Sequence, residues 1–178
     1  MIPRGISSVD RSGPVVVHFD GACQPPRGGG VATFGYTIQG GGFLAEESGL
    51  ATRPYSDRAT NNVAEYVGAI RALEWLVEQR YAGEVVVRGD SQLVIRQMTG
   101  EYEVKADHLR AYHERLRQLE GKFRRVAFEW VPREENRTAD ALSKRALAAA
   151  QPAARAYRPA RDPTVPSDGT DEPEPPSD

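Results

Sequence analysis

Two short valine-rich runs, each ending in an aspartate, constrain the fold of this chain more than any other feature of its sequence. PVVVHFD occupies residues 14–20 and EVVVRGD residues 84–90, and runs rich in β-branched residues predict strands. A repeat of apolar residues at intervals of three and four lies between the two runs and predicts a long amphipathic helix. Its members are Val63, Val67, Ile70, Leu73 and Val77. A strand that follows such a helix is best placed as a parallel neighbour of the first strand, reached by a crossover.

The remaining patterns complete a mixed sheet flanked by helices. Short glycine-rich turns join the first run to apolar segments at 31–38 and 43–49, which predicts an antiparallel meander of three strands. The later segments predict a short helix over 91–98, a longer one around 109–119, a strand over 124–131 and a last helix from Thr138 to about Ala150. The element order β-β-β-α-β-α-α-β-α places the chain in the α/β class.

Composition separates one folded domain from a C-terminal tail. Residues 151–178 contain six of the 25 acidic residues, three of the 23 Lys and Arg residues, seven of the 13 prolines and almost no large apolar side chains. Such a segment cannot bury enough surface to offset its ordering entropy, so we expect it to be disordered. A single domain over residues 14–150 and a short N-terminal extension over 1–13 remain.

Charge and cysteine content exclude several classes of protein. Residues 1–150 keep 20 basic and 19 acidic residues, so the folded part is nearly neutral and any basic face for nucleic acid must be local. Cys23 is the single cysteine, which excludes an internal disulfide and a multi-cysteine zinc site. The sequence has neither a membrane-spanning run nor a signal-peptide stretch, so we expect a cytoplasmic protein without a membrane partner. We also expect a monomer.

Four acidic residues stand where strands end or helices begin. Asp20 and Asp90 follow the two valine-rich runs, and parallel pairing brings both to one edge of the sheet, where open α/β sheets hold their active sites. Glu65 lies near the start of the long helix, in line with small residues, and Asp140 opens the last helix. Taken singly, each acid also fits a turn or a helix N-terminus. Converging carboxylates without a matching lysine cluster favour a divalent cation, and oxygen ligands select magnesium or manganese.

Four motifs, in this order, carry a resemblance to a known family. They are FDGAC at 19–23, TNNVAEY at 60–66, GDSQLVI at 89–95 and VPREENRTAD at 131–140. Together they resemble ribonuclease H of type 1, and more narrowly its compact archaeal and actinobacterial-like branch, over residues 14–148. The resemblance implies a ribonuclease H-like fold, a mixed five-stranded sheet in the order 3-2-1-4-5, with strands 1 to 3 antiparallel and helices packed on it.

The resemblance assigns the acidic quartet to catalysis. Asp20, Glu65, Asp90 and Asp140 become the metal ligands, one for one with the family's acidic residues. The family cleaves the RNA strand of an RNA-DNA hybrid with Mg²⁺ or Mn²⁺, by two ions that bind with the substrate, one activating a water and the other stabilising the leaving oxygen. Activity on double-stranded RNA is a second expectation, as in relatives without a basic handle. TGEYEVKAD, at 99–107, replaces that handle, so we expect weaker and strongly salt-dependent hybrid binding.

The resemblance also assigns residues to the substrate. Contacts are expected from Gly21, Cys23, Thr60, Asn61, Asn62, Gln92 and Asn136. Asn61 or Asn62 fits the N-cap of the long helix as well as a groove contact, and we expect one of the two to be the cap. Thr60 fits a phosphate contact or a plain helix-start residue. Gln92 fits a groove contact or an ordinary exposed helix position.

Two arginines stand where family members carry other residues. Arg133 lies in the loop where many bacterial members have a histidine for proton shuttling or product release, and it resembles the arginine of archaeal-type members. We expect it to act in catalysis, with a surface loop charge as the alternative. Arg27 stands in a turn where the family often has an asparagine, and it is the candidate for supplying the missing phosphate-binding group.

The leading interpretation is a metal-dependent endoribonuclease acting on RNA-DNA hybrids, and two alternatives come from other classes. A non-catalytic hybrid-binding module of a larger enzyme has no need to keep four mutually repelling carboxylates. An exonuclease with a related acidic set usually shows an Asp-x-Glu pair in its first strand, whereas Gly21 and Ala22 follow Asp20 here. Trp75 and Trp130 lie on periodic apolar faces, so we expect them in the core rather than stacked on bases.

Overall fold

A computed structural model places the two valine-rich runs side by side within a five-stranded sheet. It describes residues 13–26 and 29–156, with side chains described as far as residue 151. The strands are β1 Val15–Gln24, β2 Val31–Gly40, β3 Phe43–Leu50, β4 Glu84–Gly89 and β5 Arg125–Trp130. The helices are α1 Asn61–Glu78, α2 Gln92–Met98, α3 Asp107–Glu120 and α4 Arg137–Ala156, with a 3-10 turn at Arg133–Glu135.

The strand order and directions confirm the predicted fold. β2 pairs antiparallel with both β1 and β3, whereas β4 pairs parallel with both β1 and β5, which gives the order β3-β2-β1-β4-β5. Val15 of β1 lies opposite Val85 of β4. The same offset brings Asp20 level with Asp90 just beyond the paired residues, so strand register alone sets two carboxylates side by side.

Helices α1 and α4 pack on opposite faces of the sheet. Tyr36 of β2 is fully buried in one core with Leu73 of α1, and burying such a side chain contributes roughly 2 kcal/mol. Gly35 precedes Tyr36 in β2, so it faces the opposite side of the sheet, where α4 lies. A Cβ at Gly35 would be 2.6 Å from the Ala139 carbonyl oxygen. The absence of a side chain therefore lets the start of α4, with Asp140, lie directly on the sheet.

The start of α1 differs from the prediction. Thr60 is the N-cap, and its Oγ1 accepts a hydrogen bond from the Val63 amide at 3.2 Å. Asn61 and Asn62 are the first two helical residues, and both are exposed. The prediction of an asparagine cap is wrong because the threonine hydroxyl, one residue earlier, satisfies the amide that a cap must satisfy.

The last helix extends further than predicted. It runs to Ala156, six residues into the segment 151–178 that composition ascribes to a tail. Residues 146–150 are mostly alanine, the residue with the highest helix propensity, which favours continuation of the helix. The rest of the predicted tail lies outside the described residues, as do Arg27 and residues 1–12 of the predicted extension. Neither α4 nor any other helix in the described part of the chain is long and apolar enough to cross a membrane.

Candidate metal and catalytic site

Three carboxylates converge at the edge of the sheet where β1 and β4 lie side by side. Asp20, Glu65 and Asp90 each offer one oxygen, and these atoms all lie within 4.8 Å of one another. Asp20 belongs to β1, Glu65 to the second turn of α1, and Asp90 directly follows β4. Asp20 is 5% exposed and Glu65 is 8% exposed, so two of the three acids are withdrawn from water. We refer to these three acids as the carboxylate triad.

Gly21 lets the start of α1 lie directly on β1. A Cβ at this position would be 2.2 Å from the Glu65 backbone nitrogen and 2.8 Å from the Ala64 Cβ. The Gly21 backbone amide donates a hydrogen bond to the Glu65 carboxylate. Glu65 therefore reaches Asp20 because a residue without a side chain follows that aspartate, and this is the role in which the structure places Gly21.

The electrostatics of the triad oppose ionisation. Burial raises the pKa of Asp20 to about 7, with a hydrogen bond from Ser143 acting against the rise. Burial and the charges of Asp20 and Asp90 raise the pKa of Glu65 well above its ordinary value. Glu65 Oε2 is buried and has no hydrogen-bond partner among the described residues. A divalent cation fits this site because it prefers oxygen donors, relieves the repulsion between them and gives the buried oxygen a partner.

Asp140, in the first turn of α4, lies close to the triad but does not belong to it. Its Oδ1 accepts a hydrogen bond from Arg133 Nη2 at 2.7 Å, and its Oδ2 accepts one from Lys144 Nζ at 2.7 Å. Partial burial opposes its ionisation, but the hydrogen bonds and charges of these two cations outweigh that effect and lower the pKa of Asp140. The sequence predicted converging carboxylates without a matching lysine cluster, and Asp140 differs from the triad in that one lysine and one arginine pair with it.

Two buried side chains hold the acids in place. Ser143 Oγ donates a hydrogen bond to Asp20 Oδ2, and it also lies 2.9 Å from the Asp140 carbonyl oxygen. Asn136 Nδ2 contacts the Phe19 carbonyl oxygen at 2.8 Å and Asp90 Oδ1 at 3.1 Å.

Asn136 was predicted in a different role, and Ser143 was not predicted at all. The expected substrate contact of Asn136 stays a prediction, but the residue is 1% exposed and its side chain supports Asp90. The reason is that the loop between β5 and α4 folds its side chain under the sheet edge, against β1. Sequence reasoning missed Ser143 altogether. Its position three residues after Asp140, on the same face of α4, was the available signal.

Two other predicted substrate residues also serve the fold. Cys23 is buried, and its thiol lies 3.0 Å from both the Pro25 and the Ala59 carbonyl oxygens, so its side chain is not presented to a ligand. Thr60 Oγ1 accepts the capping hydrogen bond of α1, which leaves its own O–H able to donate elsewhere. The prediction of a substrate contact therefore keeps a physical basis for Thr60, but not for the side chain of Cys23.

The predicted groove contacts lie at the exposed ends of two helices. Asn61 and Asn62 begin α1, Gln92 begins α2, and all three are exposed. Asn62 also borders, with Leu93 and Gln97 of α2, a surface cavity of about 630 Å³. The starts of α1 and α2 thus share one surface next to the triad, since Glu65 and Asp90 belong to the same two segments.

The two tryptophans differ in their surroundings. Trp75 packs against the core as predicted. Trp130 does not: it is 47% exposed, and its Nε1 donates to the Asp90 backbone carbonyl at 3.2 Å. The prediction fails for Trp130 because it is the last residue of β5, an edge strand. At this point the apolar face of the strand is no longer covered by other residues.

Known proteins resemble this chain in sequence and in fold. A family model described as reverse transcriptase-like matches residues 19–146. Ribonuclease HI of Halobacterium salinarum is 39% identical over 149 residues, which cover 82% of this chain and 71% of the archaeal protein. LC11-RNase H1, solved in complex with an RNA/DNA hybrid, is 32% identical with a TM-score of 0.66, covering 76% of this chain and 98% of that one. The chain therefore belongs to the ribonuclease H family of type 1.

A mycobacterial relative is considerably longer. The bifunctional protein Rv2228c of Mycobacterium tuberculosis is 39% identical over 149 residues, which cover 83% of this chain but 39% of that protein. The chain spans about two fifths of the length of the mycobacterial relatives it matches. The similarity therefore concerns the matched part of those proteins and not their remainder.

Proposed function

We propose that this chain is a metal-dependent endoribonuclease that hydrolyses the RNA strand of RNA-DNA hybrids. The observation that carries the proposal is the triad of Asp20, Glu65 and Asp90, with Asp140 beside it. A binding module gains nothing from buried like charges, which cost stability until a cation neutralises them. Membership of the ribonuclease H family and the hybrid bound to LC11-RNase H1 support the class of substrate.

The metal ligands in this proposal are the four acids that the sequence motifs single out. The triad supplies three carboxylates. Asp140 supplies the fourth when its hydrogen bond to Lys144 or Arg133 is broken. Oxygen-only donors suit both Mg²⁺ and Mn²⁺, so the donor set does not distinguish the two ions. When bound, such ions supply positive charge at the scissile phosphate and lower the pKa of a bound water.

The chain's own side chains hold the acids for this task. Ser143 occupies one oxygen of Asp20, and Asn136 occupies Asp90 Oδ1, so each acid has one oxygen left to face its neighbours. Arg133 would act through charge alone. Its guanidinium stays protonated near neutral pH, and the hydrogen bond to Asp140 raises its pKa further, so it can neutralise a phosphate but cannot relay a proton as histidine does.

The hybrid would lie across the surface formed by the starts of α1 and α2. Asn61, Asn62 and Gln92 carry amides that both donate and accept, which suits the base edges and 2′-hydroxyls of a minor groove. Thr60 would donate to a phosphate of the DNA strand. Double-stranded RNA offers the same 2′-hydroxyls, so it is the second proposed substrate. A monomeric state and a cytoplasmic location stay predictions.

Cleavage assays on the full chain test this proposal. Labelled RNA-DNA hybrid, double-stranded RNA and double-stranded DNA are incubated with Mg²⁺ and the wild-type protein, Asp90→Asn or Asp107→Asn. Asp107 is an exposed acid at the start of α3, away from the triad, and serves as the matched control. We expect cleavage of the hybrid by the wild type and Asp107→Asn, and a loss of roughly a thousandfold in Asp90→Asn, because metal-held charge contributes several kcal/mol to catalysis.

Two results would overturn the proposal. Equal absence of cleavage by all three proteins on every substrate would exclude a nuclease. Hybrid binding in EDTA, together with no turnover when Mg²⁺ is present, would instead favour the alternative, a non-catalytic hybrid-binding module.

A further inference from the structure

Lys144 occupies an oxygen that the proposed function needs for a metal ion. Asp140 has two carboxylate oxygens, and each already accepts a hydrogen bond from a cation at 2.7 Å. The triad has no such partner among the described residues, so Asp140 alone of the four acids is neutralised by the protein itself. A metal ion that approaches Asp140 from the side of Lys144 or Arg133 must displace that cation, and both positive charges repel the ion.

We propose that Lys144 is a positioning residue that competes with divalent cations for Asp140 and thereby keeps the fourth ligand away from the metal until nucleic acid binds. This inference rests on the proposed metal-dependent function and concerns how its fourth ligand is recruited. Lys144 follows Asp140 by one turn of α4, at i and i+4, so the helix backbone holds the competing ammonium within reach of the carboxylate.

The exposure of the cations explains how the competition can be reversed. The Lys144 and Arg133 side chains are 55% and 62% exposed, whereas that of Asp140 is 18% exposed. The cations can therefore swing into solvent while the carboxylate stays at the site. An ion pair with one exposed partner is weak, so a phosphate group placed nearby can take over the ammonium.

The consequence is a coupling between nucleic acid and metal. A phosphodiester that draws Lys144 away from Asp140 frees one carboxylate oxygen for the metal ion, and a metal ion on Asp140 frees Lys144 for the phosphate. Linkage requires the two effects to be equal in binding free energy. Without nucleic acid, the triad alone would bind the ion, with Asp140 held back.

Calorimetric titration of Mn²⁺ into the metal-free full chain, without nucleic acid, tests the inference. The proteins are the wild type, Lys144→Met, Lys144→Arg, Asp20→Asn and Asp140→Asn, together with Asp140→Asn combined with Lys144→Met. We expect Lys144→Met to bind Mn²⁺ about fivefold more tightly, because one positive charge leaves the site and Asp140 becomes available. Lys144→Arg should bind like the wild type, since it restores the competing cation.

The double variant separates competition for Asp140 from a general effect of charge. With asparagine at position 140, the gain from Lys144→Met should fall below about twofold, since there is no carboxylate left to release. Equal affinity of the wild type and Lys144→Met, or an undiminished gain in the Asp140→Asn background, would overturn the inference. Thermal unfolding of each variant checks that the fold is intact.

Failure of the proposed function would look different. In that case the wild type would bind no Mn²⁺ at all, or Asp20→Asn would bind it as well as the wild type does. A wild type that binds through Asp20 and is unaffected by Lys144→Met leaves the function standing and removes only the role of Lys144.

Discussion

The carboxylate triad and Asp140 belong to one proposed site, yet the protein treats their charges in opposite ways. The triad is mostly buried, and its acids gain hydrogen bonds from uncharged groups such as Ser143 and the Gly21 amide. Asp140, in the first turn of α4 with its side chain 18% exposed, is paired with Arg133 and Lys144. A carboxylate that is buried without a counter-charge favours binding of an external cation, whereas a carboxylate in an ion pair is already neutralised. In the proposed function, the triad would therefore create the affinity for metal and Asp140 would adjust it.

Gly21→Ala should have the largest effect, because it breaks the triad and spares Asp140. The new Cβ would lie 2.2 Å from the Glu65 backbone nitrogen, which forces α1 away from β1. We expect the free energy of unfolding to fall by about 3 kcal/mol or more. Gly13→Ala, where a Cβ meets no atom within 4 Å, is the matched control. Urea titration gives both values, and a loss below 1 kcal/mol in Gly21→Ala would contradict the close contact.

The pH dependence of stability in the metal-free protein should separate the two regions next. The pKa of Asp20 lies at about 7 in the folded protein, above its ordinary 3.8. Proton binding therefore favours the folded state, and this contribution is complete below about pH 4 and lost as the pH rises through about 7. The lowered pKa of Asp140 acts in the opposite sense: its contribution is present above the ordinary pKa and lost in acid.

Thermal and urea unfolding in EDTA measure this difference. Between pH 5 and pH 8 we expect the wild type to lose roughly 2 kcal/mol more stability than Asp20→Asn loses. Asp140→Asn should follow the wild type over the same range, because Asp140 is ionised throughout it. Added Mg²⁺ should recover stability mainly at the alkaline end, where the triad is ionised. Parallel curves for the wild type and Asp20→Asn would show that burial does not hold back the ionisation of Asp20.

Ser143→Ala should have the smallest effect and test the link between the two regions. Its hydroxyl donates to Asp20 and lies beside the Asp140 backbone carbonyl. Loss of one buried hydrogen bond should cost about 1 kcal/mol, and more at pH 8 than at pH 5, since the bond favours ionised Asp20. Thr99→Ala removes an exposed hydroxyl and is the control. A cost that does not change with pH would mean that Ser143 supports packing alone.

The positions of three of the acids could be predicted from local sequence patterns. Asp20 and Asp90 could be paired from sequence because each ends a valine-rich strand, and parallel strands end at one edge. Glu65 could be placed because it lies off the apolar stripe of α1, in line with Ala69 and Ala72, both fully buried. These predictions succeeded because periodicity and element order are set by residues that are close in the chain.

Other features escaped the same reasoning because they depend on contacts between distant segments. Asn136 was expected at the substrate, but a contact with Phe19, 117 residues earlier, buries it. Trp130 belongs to an alternating strand, and only its place at the end of an edge strand exposes it. The cap of α1 was missed by one residue, since Thr60, Asn61 and Asn62 are all competent caps.

The sequence by itself determined the elements, their order and the four acids of the proposed site, because hydrophobic periodicity and strand ends are local properties of the chain. The tertiary structure decided how those acids divide. Gly21 and Gly35 let α1 and α4 approach the sheet, which buries Asp20 with Glu65 and leaves Asp140 at the rim. Whether a carboxylate needs a metal or a lysine depends on its solvent exposure and on neighbours from other segments, and only the folded packing sets both.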